Sequence, residues 1–417
     1  GGFDLVRSKE KVYLLAGGKL HTLDPANSKT EEIKISKPFA KKLADEFEQM
    51  YYEAWAGMEQ NFYDGEFHGE NWQELRDRYA EYLPYVASRE NLRTIFNDML
   101  GELNTSHFGF TSNGEEEEGY YGTRSMNAGI VFEEGDPFTV NRILKQSPAD
   151  LEPIAVQPGD KLVAVNGVKI DPNHNREFYF AGPVMSEELI LTFDRKGEEV
   201  LLKVHPASSG AMKTWLYDEW MAENEAYVDE KSGDKISYVH MKNMGGGELQ
   251  DFLQYMVSKK GNRDGLILDL RYNTGGNVHD QVLQFLSQKS YLQWKYRDGA
   301  LTNQPNFSPA DKPIVLLINE QSLSDAEMTA AGFKELGLGT IVGTETYRWI
   351  IFTSGQGLVD GSFYRLPAWG CYTLDGRNLE KDGVEPDIRV DEGFLDRLEG
   401  SQKQLDRAIE IILEKMK

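Results

Sequence analysis

Two stretches of the chain carry residue types that can do chemistry where strands end. In the first, Asn319-Glu320-Gln321-Ser322-Leu323-Ser324-Asp325-Ala326-Glu327 follows the apolar run Pro313 to Ile318 and opens a helical pattern, Ser324 to Leu336. A hydroxyl at a helix start lies at the positive end of the helix dipole, and the amide after it points towards an oxyanion formed there. That setting suits a nucleophilic serine, and it equally suits Ser322 or Ser324 as a plain N-cap. No GxSxG elbow is present, so the stretch is not assigned to the α/β-hydrolases. In the second, Asp269-Leu270-Arg271-Tyr272-Asn273-Thr274-Gly275-Gly276 ends another apolar run. Adjacent glycines let bare main chain approach a ligand with N–H groups free for an anion, although a tight turn would use them too. The single cysteine, Cys371, excludes an intrachain disulfide, and the seven scattered histidines include no HExxH pair, so zinc chemistry is not expected.

A nucleophile and amides at strand ends need a sheet and helices to hold them, and the second half of the chain has that rhythm. From about Lys213, strand and helix patterns alternate through Gly265 to Leu270, Val278 to Leu286, Pro313 to Ile318, Ser324 to Leu336 and Thr340 to Val342. This succession predicts a largely parallel sheet covered by helices, with chemistry at the strand-to-helix junctions. Upstream the period changes. From Pro38, residues such as Phe47, Met50, Tyr51, Ala54, Trp55 and Met58 recur at helical spacing and read as core. Shorter helical patterns follow at Trp72 to Leu83 and Ser88 to Leu103, and the layer ends in Asn104-Thr105-Ser106-His107. Lys11 to Ile35 alternates apolar and polar residues around Gly17-Gly18 and Asp24-Pro25-Ala26-Asn27. It reads as short strands, either the tail of a larger β structure or a meander packed on the chain's own domains.

Between the helical layer and the alternating half, about Tyr120 to Pro206, lie Ala128 to Phe132, Val140 to Leu144 and a strand from Gly159 that ends at Asn166-Gly167. The Ser-Pro-Ala start at Ser147, the Pro-Gly-Asp turn and the Val-Asn-Gly hairpin resemble PDZ domains. That likeness implies a carboxylate-accepting set of amides at Asn127, Ala128, Gly129 and Ile130, in a loop that departs from the usual Gly-Leu-Gly-Phe, or else a purely architectural module.

Together and in this order, the Gly-Asp-Lys-Leu segment, the DLRxNxGG stretch, the strand-to-helix serine and Gly383-Val384-Glu385-Pro386-Asp387 resemble the tail-specific protease superfamily over nearly all of residues 37 to 390. The tricorn-like branch is the nearer likeness. The carboxyl-terminal processing branch activates its serine with a downstream lysine, and here that place reads Thr346-Tyr347-Arg348-Trp349-Ile350. The resemblance implies Ser324 as nucleophile, His107 as general base, and Ser106 and Glu380 as the groups that orient the imidazole. It also implies an oxyanion hole from the amides of Gly275 and Asp325, with Gly276 as the alternative donor. Asp382, Glu385 and Asp387 stand close to Glu380 and leave the orienting carboxylate open. Met328 reads as the floor of a side-chain pocket or as ordinary core, and Trp349, Trp369 and Tyr372 as packing around a cleft.

The fold class implied is multidomain α+β. Residues 1–36 would be a β remnant from the end of a propeller, 37–112 a helical domain carrying Ser106-His107, 120–206 the PDZ-like domain, and 207–417 a ClpP/crotonase-like α/β catalytic domain carrying Ser324. The activity implied is a serine endopeptidase or oligopeptidase that forms an acyl-enzyme on peptide substrates, with no cofactor or metal, in a homo-oligomer. The chemistry is sound on general grounds: a neutral imidazole with an ordinary pKa of ~6.5 can take the serine proton and return it to the leaving amine if a third group fixes its tautomer. Two rival readings remain. A catalytically silent PDZ-like peptide-binding scaffold would have no use for Ser324, Ser106, His107 and Glu380 together. A crotonase-type acyl-CoA enzyme would need a basic patch, which a chain of 68 acidic and 45 basic residues, net −23, does not display. That charge also repels phosphate backbones and anionic headgroups, so neither nucleic acid nor membrane is an expected partner. The chain opens Gly-Gly-Phe without Met and reads as a trimmed fragment. Its sequence names no compartment; the lack of paired cysteines permits a bacterial periplasm, which is favoured over the cytoplasm.

Overall fold

The structure is a computed structural model and describes every residue except 1–2, 9–10, 36–39, 113, 120–121 and 154–155. The expected boundary at 36/37 and the expected PDZ-like start at Tyr120 lie outside the described residues. At the N-terminal end, β1 (Phe3–Ser8), β2 (Lys11–Ala16), β3 (Lys19–Asp24) and β4 (Lys29–Glu32) form an antiparallel meander in sequence order, and no strand of the remaining described residues joins it.

Three helices follow, α1 (Leu43–Asn61), α2 (Trp72–Ala80) and α3 (Arg89–Gly101). α1 buries Phe47, Met50, Tyr51, Ala54 and Met58, spaced to put one face inward. Asn71 and Ser88 cap α2 and α3 by accepting the Glu74 and Asn91 amides. The core of this layer also takes in Tyr364 and Leu366 from far along the chain. Buried Arg89 reinforces that join, meeting Glu46 at 2.8 Å, Glu116 at 2.5 Å and Asp360 at 2.7 Å. After α3 the chain turns at His107 into β5 (Gly109–Thr111).

The middle segment holds the antiparallel pair β6 (Ile130–Phe132) and β7 (Val140–Ile143). A second sheet runs β9-β8-β10-β11, from β8 (Lys161–Val165), β9 (Val168–Lys169), β10 (Leu189–Arg195) and β11 (Glu198–Val204). The hairpin at Asn166-Gly167 has φ of 49° and 77°, the left-handed pair that an Asn-Gly turn supplies.

The second half begins with the long helix α4 (Ser209–Ser232), then β12 (Ile236–His240), α5 (Gly246–Val257), β13 (Gly265–Asp269) and α6 (His279–Leu286). An exposed hairpin, β14 (Leu292–Lys295) and β15 (Leu301–Gln304), precedes β16 (Ile314–Ile318), α7 (Asp325–Glu335) and β17 (Thr340–Gly343). The long strands β18 (Ile351–Gly357) and β19 (Phe363–Gly370), the short β20 (Ile388–Arg389) and the helix α8 (Lys403–Lys415) complete the chain. The five-stranded sheet β12-β13-β16-β17-β20 is parallel throughout. Its strands are buried on both faces: Leu266, Leu268, Ile314 and Leu316 face the core under α5, α6 and α7, while Ile267, Val315 and Leu317 face the one under α4 and α8. A sheet covered on both sides explains why β13 and β16 read as continuous apolar runs. This is a mixed α/β fold. Among the described residues no helix is long and apolar enough to cross a membrane.

One further sheet positions the site. β19 is the middle strand between β18 and β5, so the strand that begins two residues after His107 is laid against the C-terminal half.

Candidate active site

Ser324 stands where β16 hands over to α7, with φ 58° and ψ −118°. A non-glycine residue held there stores about 1–3 kcal/mol of strain, which the surrounding bonds must offset. Its amide donates to Glu327 Oε1 at 3.0 Å. Glu327 is fully buried and collects three further donors, Thr346 Oγ1 at 2.6 Å and the amides of Arg348 and Trp349 at 2.8 Å. Burial pushes its pKa up against the pull of those donors. The sequence reading missed this residue, although Ser-x-x-Glu at a helix start is the signal that could have found it. Ser322 has a different use: completely buried, its hydroxyl donates to the Leu270 carbonyl at 2.8 Å and accepts the Asn319 amide at 2.9 Å.

The Ser324 hydroxyl meets a histidine 217 positions away, His107 Nε2 at 3.0 Å. His107 has φ 65° and is buried. Its Nδ1 lies 3.1 Å from Ser106 Oγ, which in turn donates to Glu380 Oε2 at 3.0 Å. Because the serine gives its proton to the carboxylate, its lone pair is free for the imidazole, so Nδ1 carries the hydrogen and Nε2 is left as the acceptor facing Ser324. Glu380 rises from the short helix Leu379–Asp382 and is held by the amides of Ser106 at 2.7 Å and Ile350 at 2.8 Å and by the Thr105 hydroxyl at 3.3 Å. Among the neighbouring acids, Asp387 instead accepts the Ile341 amide and pairs with Lys334. Burial, and then the positive charge of Arg365, lowers the His107 pKa to about 4, so the imidazole is neutral at pH 7 and able to act as a base.

Gly275 lies against Ser324, and Gly276 against Met244. At Gly275, φ is 78°, and an added Cβ would sit 2.6 Å from Ser324 Cβ and 3.2 Å from the Asp325 nitrogen. The Gly275 amide donates to Asn273 Oδ1 at 2.8 Å, whereas the amides of Gly276 and Asp325 have no hydrogen-bond partner among the described residues. Of the three amides, those of Gly276 and Asp325 are therefore the two without a bond in this conformation among the described residues. Met328 is half-buried against the core beneath α7. The Trp349 and His107 ring centroids lie 5.0 Å apart with the rings near perpendicular, and Trp369 and Tyr372 are exposed rather than packed away. A cavity of about 910 Å³ opens beside the rear of the cluster, where Thr105, Ser106, Trp349 and Glu380 share a wall with Asp64 and Arg348. The sequence does not show it, since it forms only where the helical layer meets the C-terminal half.

Asn127 to Ile130 are not part of this cluster. The Asn127 amide is donated to Ala207 O at 2.8 Å, and Ala128, Gly129 and Ile130 are buried. The groove beside them holds only about 70 Å³ and has Met212 of α4 in its wall. Of the four expected amides, that of Asn127 is bonded within the chain, while Ala128 and Ile130 line the groove.

Comparison with known proteins accords with this architecture. Residues 235–390 match the peptidase family S41 model, and residues 43–101 match that of the tricorn protease C1 domain. Tricorn protease homolog 1 of Streptomyces coelicolor is 30% identical over 396 residues, covering 89% of this chain and 35% of the relative. The tricorn protease of Thermoplasma acidophilum is 26% identical over 437 residues, 96% of this chain and 38% of the relative. The chain thus spans little more than a third of the length of these curated relatives. The crystal structure of the tricorn protease superposes with a TM-score of 0.77 at 23% identity, over 99% of this chain and 41% of the other, which establishes the likeness of fold. With one family model on the helical layer and the other on the parallel sheet, and relatives that run through both, the chain belongs to the tricorn and tail-specific protease superfamily.

Proposed function

We propose that the chain is a serine peptidase that cleaves peptides through an acyl-enzyme on Ser324. The observation that carries this reading is the unbroken series Ser324, His107, Ser106, Glu380, with each contact between 3.0 and 3.1 Å. His107 Nε2 takes the Ser324 proton as Oγ attacks the scissile carbonyl, and the imidazolium then hands it to the leaving amine; water repeats the sequence to release the acid. Ser106 and Glu380 keep Nδ1 protonated and favour the imidazolium as it forms. The Asp325 amide and a glycine amide, Gly276 or a released Gly275, stabilise the tetrahedral oxyanion, each worth roughly 10²–10³ in rate. Met328 floors the adjoining pocket in this reading. No metal or cofactor enters any step. The likeness to proteases named tricorn supports peptides as the substrate class and a homo-oligomer as the working form. The hairpin β14–β15, which leaves Trp294 and Leu301 uncovered, offers surface for such assembly.

Labelling with a fluorophosphonate, followed by mass-spectrometric mapping, tests the reading. Label on Ser324 that disappears in Ser324→Ala and in His107→Ala is expected; a folded, unlabelled wild type would overturn it.

A further inference from the structure

Asp325 offers more than its amide. Its side chain is 2% exposed, and Oδ2 accepts the amides of Val278 at 2.7 Å and His279 at 3.1 Å while Oδ1 faces His279 Nδ1 at 2.5 Å. These partners are the first turn of α6, the helix that leaves the Gly275-Gly276 turn. Val278, at its N-cap position, supplies no side-chain acceptor. Two of the orphan amides of α6 are thus satisfied from another helix, by the residue immediately after Ser324.

The opposite flank is tied in the same sense. The Leu323 amide, immediately before Ser324, donates to the Asn273 carbonyl at 3.1 Å, just ahead of the two glycines. Ser324 is therefore bracketed: one staple joins residue 323 to 273, the other joins 325 to 278 and 279. Between the staples lie Gly275 and Gly276 with the oxyanion donors. The turn has no slack, since a Cβ on Gly276 would come within 2.0 Å of the Met244 carbonyl oxygen. The charge also requires management. A bare carboxylate one residue from the nucleophile would oppose an oxyanion forming nearby, and bonding to two amides and an imidazole draws its field away from that place.

We propose that the Asp325 carboxylate and His279 are positioning residues, which clamp the start of α6 to the start of α7 and so set the spacing between the glycine and Asp325 oxyanion donors. The proposal rests on the peptidase reading above, in that it assigns these side chains a part in that reaction. An oxyanion hole acts only if its donors are placed before the charge appears, and a displacement of about 1 Å can cost roughly 10²-fold in rate.

The test compares wild type, Asp325→Ala, His279→Ala and His279→Asn in the full chain, by steady-state hydrolysis of a fluorogenic peptide, fluorophosphonate labelling and amide hydrogen exchange. Asp325→Ala is expected to lower kcat by about 10²-fold with KM within about twofold, because the donors act on the transition state and not on the bound peptide. His279→Ala should lose about tenfold in the same way, and His279→Asn, whose side-chain N–H can reach the same oxygen, should regain most of it. In exchange, the Val278 and His279 amides should be protected in wild type and released in Asp325→Ala. An unchanged kcat in Asp325→Ala, a change in KM alone, or a His279→Asn as poor as His279→Ala overturns the proposal. Should Asp325→Ala fail to fold, the two His279 variants decide. A wild type that neither labels nor hydrolyses would defeat the peptidase reading instead, and the exchange of Val278 and His279 would still show whether the clamp exists.

Discussion

The strand-to-helix junction at Ser324 and the loop at Asn127 to Ile130 begin from similar sequence cues, backbone amides beside a strand end, and the fold treats them in opposite ways. At the first, Gly276 is exposed, its amide and that of Asp325 have no partner among the described residues, and two non-glycine residues, His107 and Ser324, are held at positive φ. At the second, Asn127 bonds to Ala207, the next three residues are buried, and α4 narrows the groove through Met212. A set of amides becomes a place for an anion when the chain leaves it reachable and fixes its geometry with other bonds.

The sharpest way to break that contrast is one variant on each side. His107→Ala should reduce peptide hydrolysis by roughly 10⁴–10⁶-fold, the scale seen when a base acting as a unit with its nucleophile is removed. Met212→Ala, which only widens the groove, should leave hydrolysis within about twofold. If the two variants fell equally, the middle segment would be a participant and the contrast mistaken. Glu380→Gln is the next largest expectation: the amide side chain keeps an acceptor for Ser106 but loses the charge that favours the imidazolium, and kcat should fall about 10²-fold with KM little changed. A loss in KM alone would place Glu380 in substrate binding, through the cavity it lines, and not in orienting His107.

The same contrast explains what the sequence could show. β13, β16, α6 and α7 were legible because a sheet covered on both faces writes continuous apolar runs, and α1 because its inward face repeats at helical spacing. α4 was not: of its 24 residues only Asn224, Val228 and Ser232 are buried, so it carries no clear apolar stripe. β5, β18 and β19 escaped because β5 is three residues long and its partner lies more than 250 positions away, yet their pairing carries His107 to Ser324. Ser324 and the glycines could be picked out from local chemistry. His107, Ser106 and Glu380 could not, since a lone histidine and one acid among several mean nothing until distant segments meet; their candidacy came from the family resemblance. Glu327 differs, because the Ser-x-x-Glu pattern at a helix start is legible locally.

Glu327 separates placement from chemistry. Glu327→Ala would strand the amides of Ser324, Arg348 and Trp349 and the Thr346 hydroxyl in the interior, and should cost about 3–5 kcal/mol in denaturant unfolding. Glu327→Gln keeps one acceptor oxygen and should cost less than half of that. Equal losses would mean that charge, and not accepted bonds, holds the Ser324 backbone.

The smallest effects concern protons. With the His107 pKa lowered to about 4 by burial and then by Arg365, the base is neutral throughout the mildly acidic range. The rate of fluorophosphonate labelling should rise with pH through a midpoint near 4 and then level off, and not through the ~6.5 of a solvated imidazole. Between those two values the unfolded chain binds a proton on this residue that the folded one refuses, so stability falls as pH drops from 6.5 towards 4 and the loss is complete below it. Arg365→Ala removes the second cause and leaves the first, so the midpoint should move up only part of the way. A midpoint at 6.5 in wild type would mean that water reaches the imidazole, and the buried, strained His107 that distinguishes this junction from the Asn127 loop would not be the form that reacts.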